Sequence, residues 1–278
     1  MAAPPTSAQC QLGRLIHHDP VYQDAIGQRV SACGDLAVVT SYHNDDDPQY
    51  GKGEVYMLRI ASEGYDWVTT FRTEEPNSGF AWAVALDSDR LAITLASRRC
   101  WVYDRIGDEW VHTAELWPPG DPVNDHYGKD VVLEGDTIAV SIMNHNGVYV
   151  YEQDDLGEWS EGTLLRPADM STVLEFGSSL ALSGDTLIVG APADQAHGLA
   201  SGSAFIFERT APGVWEERQK LMPDDLVALD AFGDSVAIEG DLAFVGSSGW
   251  APDAVYAYER DRSGVWQETL RLRSGSGT

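Results

Sequence analysis

The apolar positions of this chain alternate with polar ones in short runs. In "FGSSLALSGDTLIVGAP", residues 176–192, Leu180 and Leu182 stand against Ser179, Ala181 and Ser183, which is the two-residue period of a strand. Gly184 and Asp185 interrupt the run before a second apolar stretch. Both residue types suit a tight hairpin, so the segment reads as strand, two-residue turn, strand. The plan returns in "FGDSVAIEGDLAFVGSS" from Phe232 and "YGKDVVLEGDTIAVSIM" from Tyr127. Looser copies are "IGQRVSACGDLAVVTSY" from Ile26 and "FAWAVALDSDRLAITLA" from Phe80. Their turns are Gly34-Asp35, Ser88-Asp89, Gly135-Asp136, Gly184-Asp185 and Gly240-Asp241.

A third apolar run follows each copy: "EVYMLR", "CWVYDR", "GVYVYE", "AFIFER" and "AVYAYER". Beyond a further turn, a fourth carries one tryptophan each time, namely Trp67, Trp110, Trp159, Trp215 and Trp266. No helical period of useful length occurs. Four antiparallel strands in about fifty residues cannot bury both faces of their sheet alone. Stacking such sheets radially solves this and leaves only short edges. The sequence therefore predicts an all-β fold, a β-propeller of five four-stranded antiparallel blades over 26–75, 80–117, 127–166, 176–222 and 232–273.

The first residues add a surplus strand. "LIHHDPVYQDAIG" (Leu15 to Gly27) aligns without gaps on "LMPDDLVALDAFG" (Leu221 to Gly233), so 9–16 reads as a fourth-type strand ahead of the first blade. We expect it to meet the outer edge of the last blade and complete the ring, since an open strand edge invites pairing. Residues 1–8 read as a disordered tail and 274–278 as a linker-like tail, giving one propeller domain over 9–273.

Composition narrows the partners. The formal net charge is −26, from 44 acidic and 18 basic residues, only 3 of them Lys. Such a surface repels phosphate backbones and anionic lipid, which argues against nucleic acid and membrane insertion. No apolar run approaches the length of a membrane span, and the first residues lack the pattern of a secretory leader. Cys10, Cys33 and Cys100 are odd in number and widely spaced, so they read as free thiols rather than a disulfide or zinc framework.

The repeated residues "FG…GDTLIVGAP…GSAFIFER…VWEERQKL" resemble the FG-GAP repeat of integrin α-chain-like and bacterial surface-protein propellers. The resemblance covers 26–273 and is sharpest in the fourth and fifth copies. It implies a propeller with a binding or adhesion role in an extracellular or cell-surface setting; the missing leader leaves the cytoplasm open. Many such repeats carry a DxDxDG calcium loop between their first two strands. Here a two-residue turn stands in that place, without room for six or more oxygen ligands, so the family's calcium sites do not transfer and no cofactor is expected.

Propeller geometry sends the second-to-third-strand loops and the blade linkers to one face, and the tight hairpins to the other. Six of the seven histidines fall in the former: His17, His18 and His126 in linkers, His43, His145 and His197 in loops. With them stand Trp117, Trp250, Asp45 and Asp253. Exposed loops on a rigid scaffold are where binding residues gather, though polar His collects in loops anyway. An exposed Trp beside Asp, Asn and His suits a sugar, with its ring on C–H faces and polar groups on hydroxyls. Asn44, Asp45 and Asp47 are weak candidates for a hard cation such as calcium, against a solvated acidic loop. Asp24, Asp125 and Asp230 recur two residues before the aromatic-Gly or Ile-Gly pair, which points to a structural duty accepting backbone N–H bonds. The five fourth-strand tryptophans are expected to pack between blades.

No HExxH, GxSxG or Gly-rich phosphate loop is present. The leading expectation is a non-catalytic module that binds a protein or glycan through the loop face. A propeller glycoside hydrolase or polysaccharide lyase, with acids gathered from several blades, is one alternative; a structural scaffold or assembly subunit is the other.

Overall fold

A computed structural model describes residues 26–41, 53–62, 64–73, 75, 79–96, 98–119, 127–142, 146–249 and 254–273. It contains five antiparallel four-stranded sheets, each in sequence order. The first holds β1 (Ile26–Cys33), β2 (Leu36–Ser41), β3 (Glu54–Ala61) and β4 (Gly64–Phe71). The second holds β5 (Phe80–Asp87), β6 (Arg90–Leu95), β7 (Arg99–Ile106) and β8 (Glu109–Leu116). The third holds β9 (Tyr127–Glu134), β10 (Thr137–Ile142), β11 (Gly147–Glu152) and β12 (Thr163–Leu165). The fourth holds β13 (Ser179–Ser183), β14 (Thr186–Ala191), β15 (Ser203–Ala211) and β16 (Val214–Leu221). The fifth holds β17 (Phe232–Glu239), β18 (Leu242–Ser247), β19 (Ala254–Arg260) and β20 (Trp266–Arg273). These are five blades of a β-propeller. The surplus strand expected over 9–16 lies outside the described residues.

All five first hairpins close with two residues, as the registers Cys33–Leu36, Asp87–Arg90, Glu134–Thr137, Ser183–Thr186 and Glu239–Leu242 show. Gly34, Gly135, Gly184 and Gly240 take positive φ at the first turn position, which only glycine adopts without strain. Each turn is also tied to the rest of its sheet. The turn Asp carbonyl accepts an N–H from the end of the third strand or just past it: Ile60 to Asp35, Arg105 to Asp89, Gln153 to Asp136, Arg209 to Asp185 and Arg260 to Asp241.

First strands converge and fourth strands splay. The packed strand pairs between sheets are led by β1 on β5, β5 on β9, β9 on β13 and β13 on β17. Arg29 Nη2 reaches from the first sheet to the Lys129 carbonyl of the third, 3.1 Å away, so the innermost strands curve around one axis. Among the described residues the core forms four separate clusters, each filled from two successive sheets. Phe80, Tyr127, Phe176 and Phe232, the aromatics that open the second to fifth repeats, are buried in them. Phe176 meets Phe205 edge-on at 5.4 Å and Phe232 meets Tyr256 at 5.2 Å; Tyr127 instead donates its hydroxyl to Tyr151, 3.1 Å away.

The glycine after that aromatic lies at a close approach. Gly128 has φ +85°, and a Cβ there would sit 2.6 Å from Thr94 Cβ of the preceding sheet; at Gly233 the clash would be with Ser203 O at 2.3 Å. Polar staples join the sheets. Thr94 Oγ1 donates to Gly128 O (2.8 Å) and Ser179 Oγ to Gly233 O (2.8 Å). On the hairpin rim, Asp87, Glu134 and Ser183 accept the N–H of Gly135, Gly184 and Gly240, at 2.7, 2.7 and 3.0 Å.

One blade departs from the regular plan. Its fourth strand β12 has three residues, and Trp159 joins Gln153 only through an isolated bridge. The turn ahead of it, where Asp154 Oδ1 accepts the N–H groups of Leu156 and Glu158, is the same as the one at Asp261 that leads into the eight-residue β20; what differs is Gly162, at φ +92° just before β12.

Candidate functional site

The fourth-strand tryptophans do not all do the same thing. Trp215 and Trp266 are buried. The Trp215 indole N–H donates to Glu152 of the preceding sheet at 2.7 Å, and the Trp266 backbone exchanges two 2.8 Å bonds with the Gln219 amide. Trp159 is half-buried under Arg90 of the second sheet, 5.1 Å from its guanidinium. Trp110, also half-buried, meets Phe71 of the first sheet edge-on at 6.4 Å. Trp67 breaks the expectation of packing between blades: it pairs with Leu58, so that Tyr65 takes the ladder place of the other tryptophans. No sheet among the described residues packs before it, and it is 51% exposed, resting on Tyr56 at 5.1 Å.

Between the first two blades, at their hairpin end, Trp67 and Trp110 line a groove of about 230 Å³ with Leu36, Val68, Arg59, Asp66, Arg105 and Asp108. Both arginines are held in place. Arg59 Nε lies 3.2 Å from Asp35, and Arg105 lies 3.8 Å from Asp89 and 3.9 Å from Asp108. Asp35 and Asp89 are themselves fixed by the turn bonds above, so the guanidiniums are anchored at the groove through the repeat's own frame. Asp66 and Asp108 are exposed carboxylates. Two indoles over an apolar floor, rimmed by planar cations and anions, can stack on C–H faces and bond hydroxyls.

Of the loop-face residues expected from sequence, Trp117 and His197 are within the described residues. His17, His18, His43, Asn44, Asp45, Asp47, His126, His145, Trp250 and Asp253 are outside them. Trp117 is 52% exposed, with the Arg99 guanidinium 5.2 Å over its ring. Arg99 also pairs with Glu75 and lies 5.9 Å from Trp101, so it belongs to a packed stack. His197 is exposed on a loop built around Asp194. That carboxylate is fully buried and accepts from Ala196 N (3.0 Å), Ser203 Oγ (2.6 Å) and Lys220 Nζ (2.6 Å). Burial opposes its charge, yet Lys220, Ser203 and Thr172 together hold it below the usual carboxylate range. Trp117 and His197 are not brought together.

Asp230 has the structural duty expected of it, being buried and accepting Val227 N at 2.8 Å; Asp24 and Asp125 lie outside the described residues. Cys33 and Cys100 are free, and burial pushes the Cys100 thiol up to about 12, an unreactive state. Among the described residues no three His, Cys, Asp or Glu side chains converge on a metal-sized space. The groove residues went unassigned in the sequence reading because Trp67 and Trp110 obey the repeat. The available signal was Asp66 and Asp108, acids at or near the fourth-strand tryptophan in "YDW" and "GDEW", where the fourth and fifth copies read "GVW".

Three solved structures share the fold. A functionally unknown protein from Desulfotomaculum acetoxidans superposes with TM-score 0.54 at 14% identity, over 88% of this chain and 69% of its own. A candidate 6-phosphogluconolactonase from Bacteroides uniformis gives 0.59 at 12%, over 90% and 72%. Hsv2 from Kluyvelomyces marxianus gives 0.55 at 9%, over 91% of this chain and 63% of that one. At these identities the likeness is one of fold alone. No functionally curated protein matches the sequence significantly. The FG-GAP repeat family matches residues 159–207 and 215–258, so its unit starts at a fourth-strand tryptophan and runs into the third strand of the next sheet. The FG-GAP matches thus lie within 159–258 of a five-bladed propeller frame.

Proposed function

We propose that this protein is a non-catalytic recognition module that holds a glycan in the groove between its first two blades. The observation that carries the reading is the joint presence of Trp67, Trp110, Arg59, Arg105, Asp66 and Asp108 around one open groove. Its volume of about 230 Å³ is below the roughly 300–1,000 Å³ of drug-sized sites, which suits one sugar ring lying along a surface better than an enclosed cofactor. An extracellular or cell-surface setting goes with this reading and is supported by the FG-GAP repeats.

A glycan array followed by titration tests it. Trp67→Ala is expected to weaken the bound oligosaccharide at least about tenfold, roughly 1.4 kcal/mol, while His197→Ala leaves affinity unchanged. The oligosaccharide is recovered intact; shortened or unsaturated products would make the protein an enzyme instead. Loss of binding in Trp117→Ala and His197→Ala, with none in Trp67→Ala, would move recognition to the loop rim.

A further inference from the structure

The four interfaces between successive sheets are built from the same repeat positions, and that regularity shows what is unmade at the two ends. Each sheet sends residues forward from its second, third and fourth strands. Ala257, the counterpart of Met57, Val102, Val150 and Ile206, stays buried in the fifth sheet, while three of these positions lose their cover there. In the second strand these are Val38, Ala92, Ala139 and Ile188, all buried, but the fifth sheet's Phe244 is 37% exposed. In the third they are Val55, Cys100, Val148 and Ala204, all buried, but Val255 is 40% exposed. In the fourth they are Phe71, Leu116, Leu165 and Leu221, all buried, but Leu272 is 54% exposed. The polar staples stop there too. Glu239 stands where Asp87, Glu134 and Ser183 accept the next sheet's turn N–H, and it has no partner among the described residues. Gly190 leaves room for Gly233 O of the next sheet, 2.0 Å from its would-be Cβ; the matching Gly246 faces only Ser235 of its own sheet.

The opposite half of this interface is open on the first sheet. Val84, Val131 and Leu180 are buried against the sheet before them, whereas Val30 is 62% exposed. A Cβ on Gly27 would meet nothing within 4 Å, unlike Gly128 or Gly233. Gly34, like the turn glycines stapled elsewhere, has its N–H free of partners among the described residues. Sheet-to-sheet packing runs from the first to the fifth, and none of the packed pairs joins β1–β4 to β17–β20.

One chain therefore carries both halves of a contact that it makes four times internally, at opposite ends. We propose that two copies of this chain associate head to tail, the fifth sheet of one packing on the first sheet of the other. The interface is heterologous, so the donor patch and the acceptor patch are different surfaces of the same molecule. Exposed apolar patches of this kind on otherwise acidic surfaces mark association sites. An incoming fifth sheet would also face Trp67, on the same side of the first sheet as Val30. Glycan affinity is therefore measured in Leu272→Asp, a single copy with the groove untouched, which keeps the failure of either reading distinct.

Light scattering coupled to gel filtration tests the proposal, from about 1 to 100 μM, within the affinity range such interfaces span. The native chain is expected to exceed the 30.3 kDa of one copy, with a mass that rises with concentration. Leu272→Asp blocks the fifth-sheet half and Val30→Asp the first-sheet half, so each variant alone runs as a single copy. Mixed one to one they recover a dimer, because each retains the half that the other lacks. Circular dichroism checks folding, and Val255→Lys replaces Leu272→Asp if that variant unfolds. A native chain of single-copy mass throughout overturns the proposal. So does dimerisation of Leu272→Asp alone, or a mixture that stays single-copy.

Discussion

Trp266 and Trp67 are the fourth-strand tryptophans of the last and first sheets and have opposite surroundings. Trp266 is buried against the fourth sheet, its backbone bonded to Gln219; Trp67 is half-exposed beside a groove. Part of the difference is register, since Trp67 pairs with Leu58 and Tyr65 takes the place that Trp266 has opposite Arg260; the rest lies in what precedes each sheet among the described residues. A residue that the repeat prescribes becomes packing where a neighbour covers it, and a recognition surface where none does. The same rule separates Leu221, which is buried, from Leu272, which is not.

The largest effect should come from the covered member of the pair. Trp266→Ala is expected to cost about 3–5 kcal/mol in urea unfolding, the range for large buried aromatics, while Trp67→Ala costs about 1 kcal/mol or less. Equal losses would mean that the two surroundings are energetically alike and would break the comparison.

A buried charge gives the next effect. Lys220→Met leaves the Asp194 carboxylate without its cation and is expected to cost about 3 kcal/mol at neutral pH, at the low end for broken buried pairs. The sign of the pH dependence follows. Asp194 is held below its ordinary value, so its contribution is full above the unfolded value of roughly 3.9 and is lost as pH falls through the folded one. Urea midpoints of the native chain should therefore drop on acidification below about pH 4. In Lys220→Met burial is no longer opposed by the ammonium, so the folded value rises toward the unfolded one and the Asp194 part of that drop should shrink or reverse. Parallel profiles would remove the ion pair from the account.

The smallest effect sharpens the comparison most. Gly27 and Gly128 have nearly the same φ, +87° and +85°. Alanine at Gly27 should therefore cost only the left-handed strain, about 1–2 kcal/mol. Alanine at Gly128 adds the collision with Thr94, about 1–3 kcal/mol more. Chemical denaturation of the two variants gives the difference, which isolates the presence of a preceding sheet from backbone strain.

Much of the fold was legible because strand period and turn chemistry are local. Four sheets begin at the residue that opens each repeat, Ile26, Phe80, Tyr127 and Phe232. In the fourth, the regular ladder starts three residues later at Ser179, after the bonds from Gly177 and Ser178 to Gly190 O. The short β12 was not legible, since the turn before it at Asp154 is the one that Asp261 makes before the full-length β20. The site was harder. Counting one tryptophan per fourth strand gives Trp67 a ladder place that Tyr65 holds, and it does not say whether a sheet lies before it. Exposure at the ends of a repeat array is a property of the array, and no window of fifty residues contains it.

The hairpin-rim staples carry a direction. In every case the acceptor side chain, Asp87, Glu134 or Ser183, belongs to the earlier sheet and the glycine N–H to the later one. A chain emerging from the ribosome would thus present each docking carboxylate or hydroxyl before the turn that binds it has been synthesised. Growth could proceed vectorially, each petal templated on the last, with little need for distant segments to find one another.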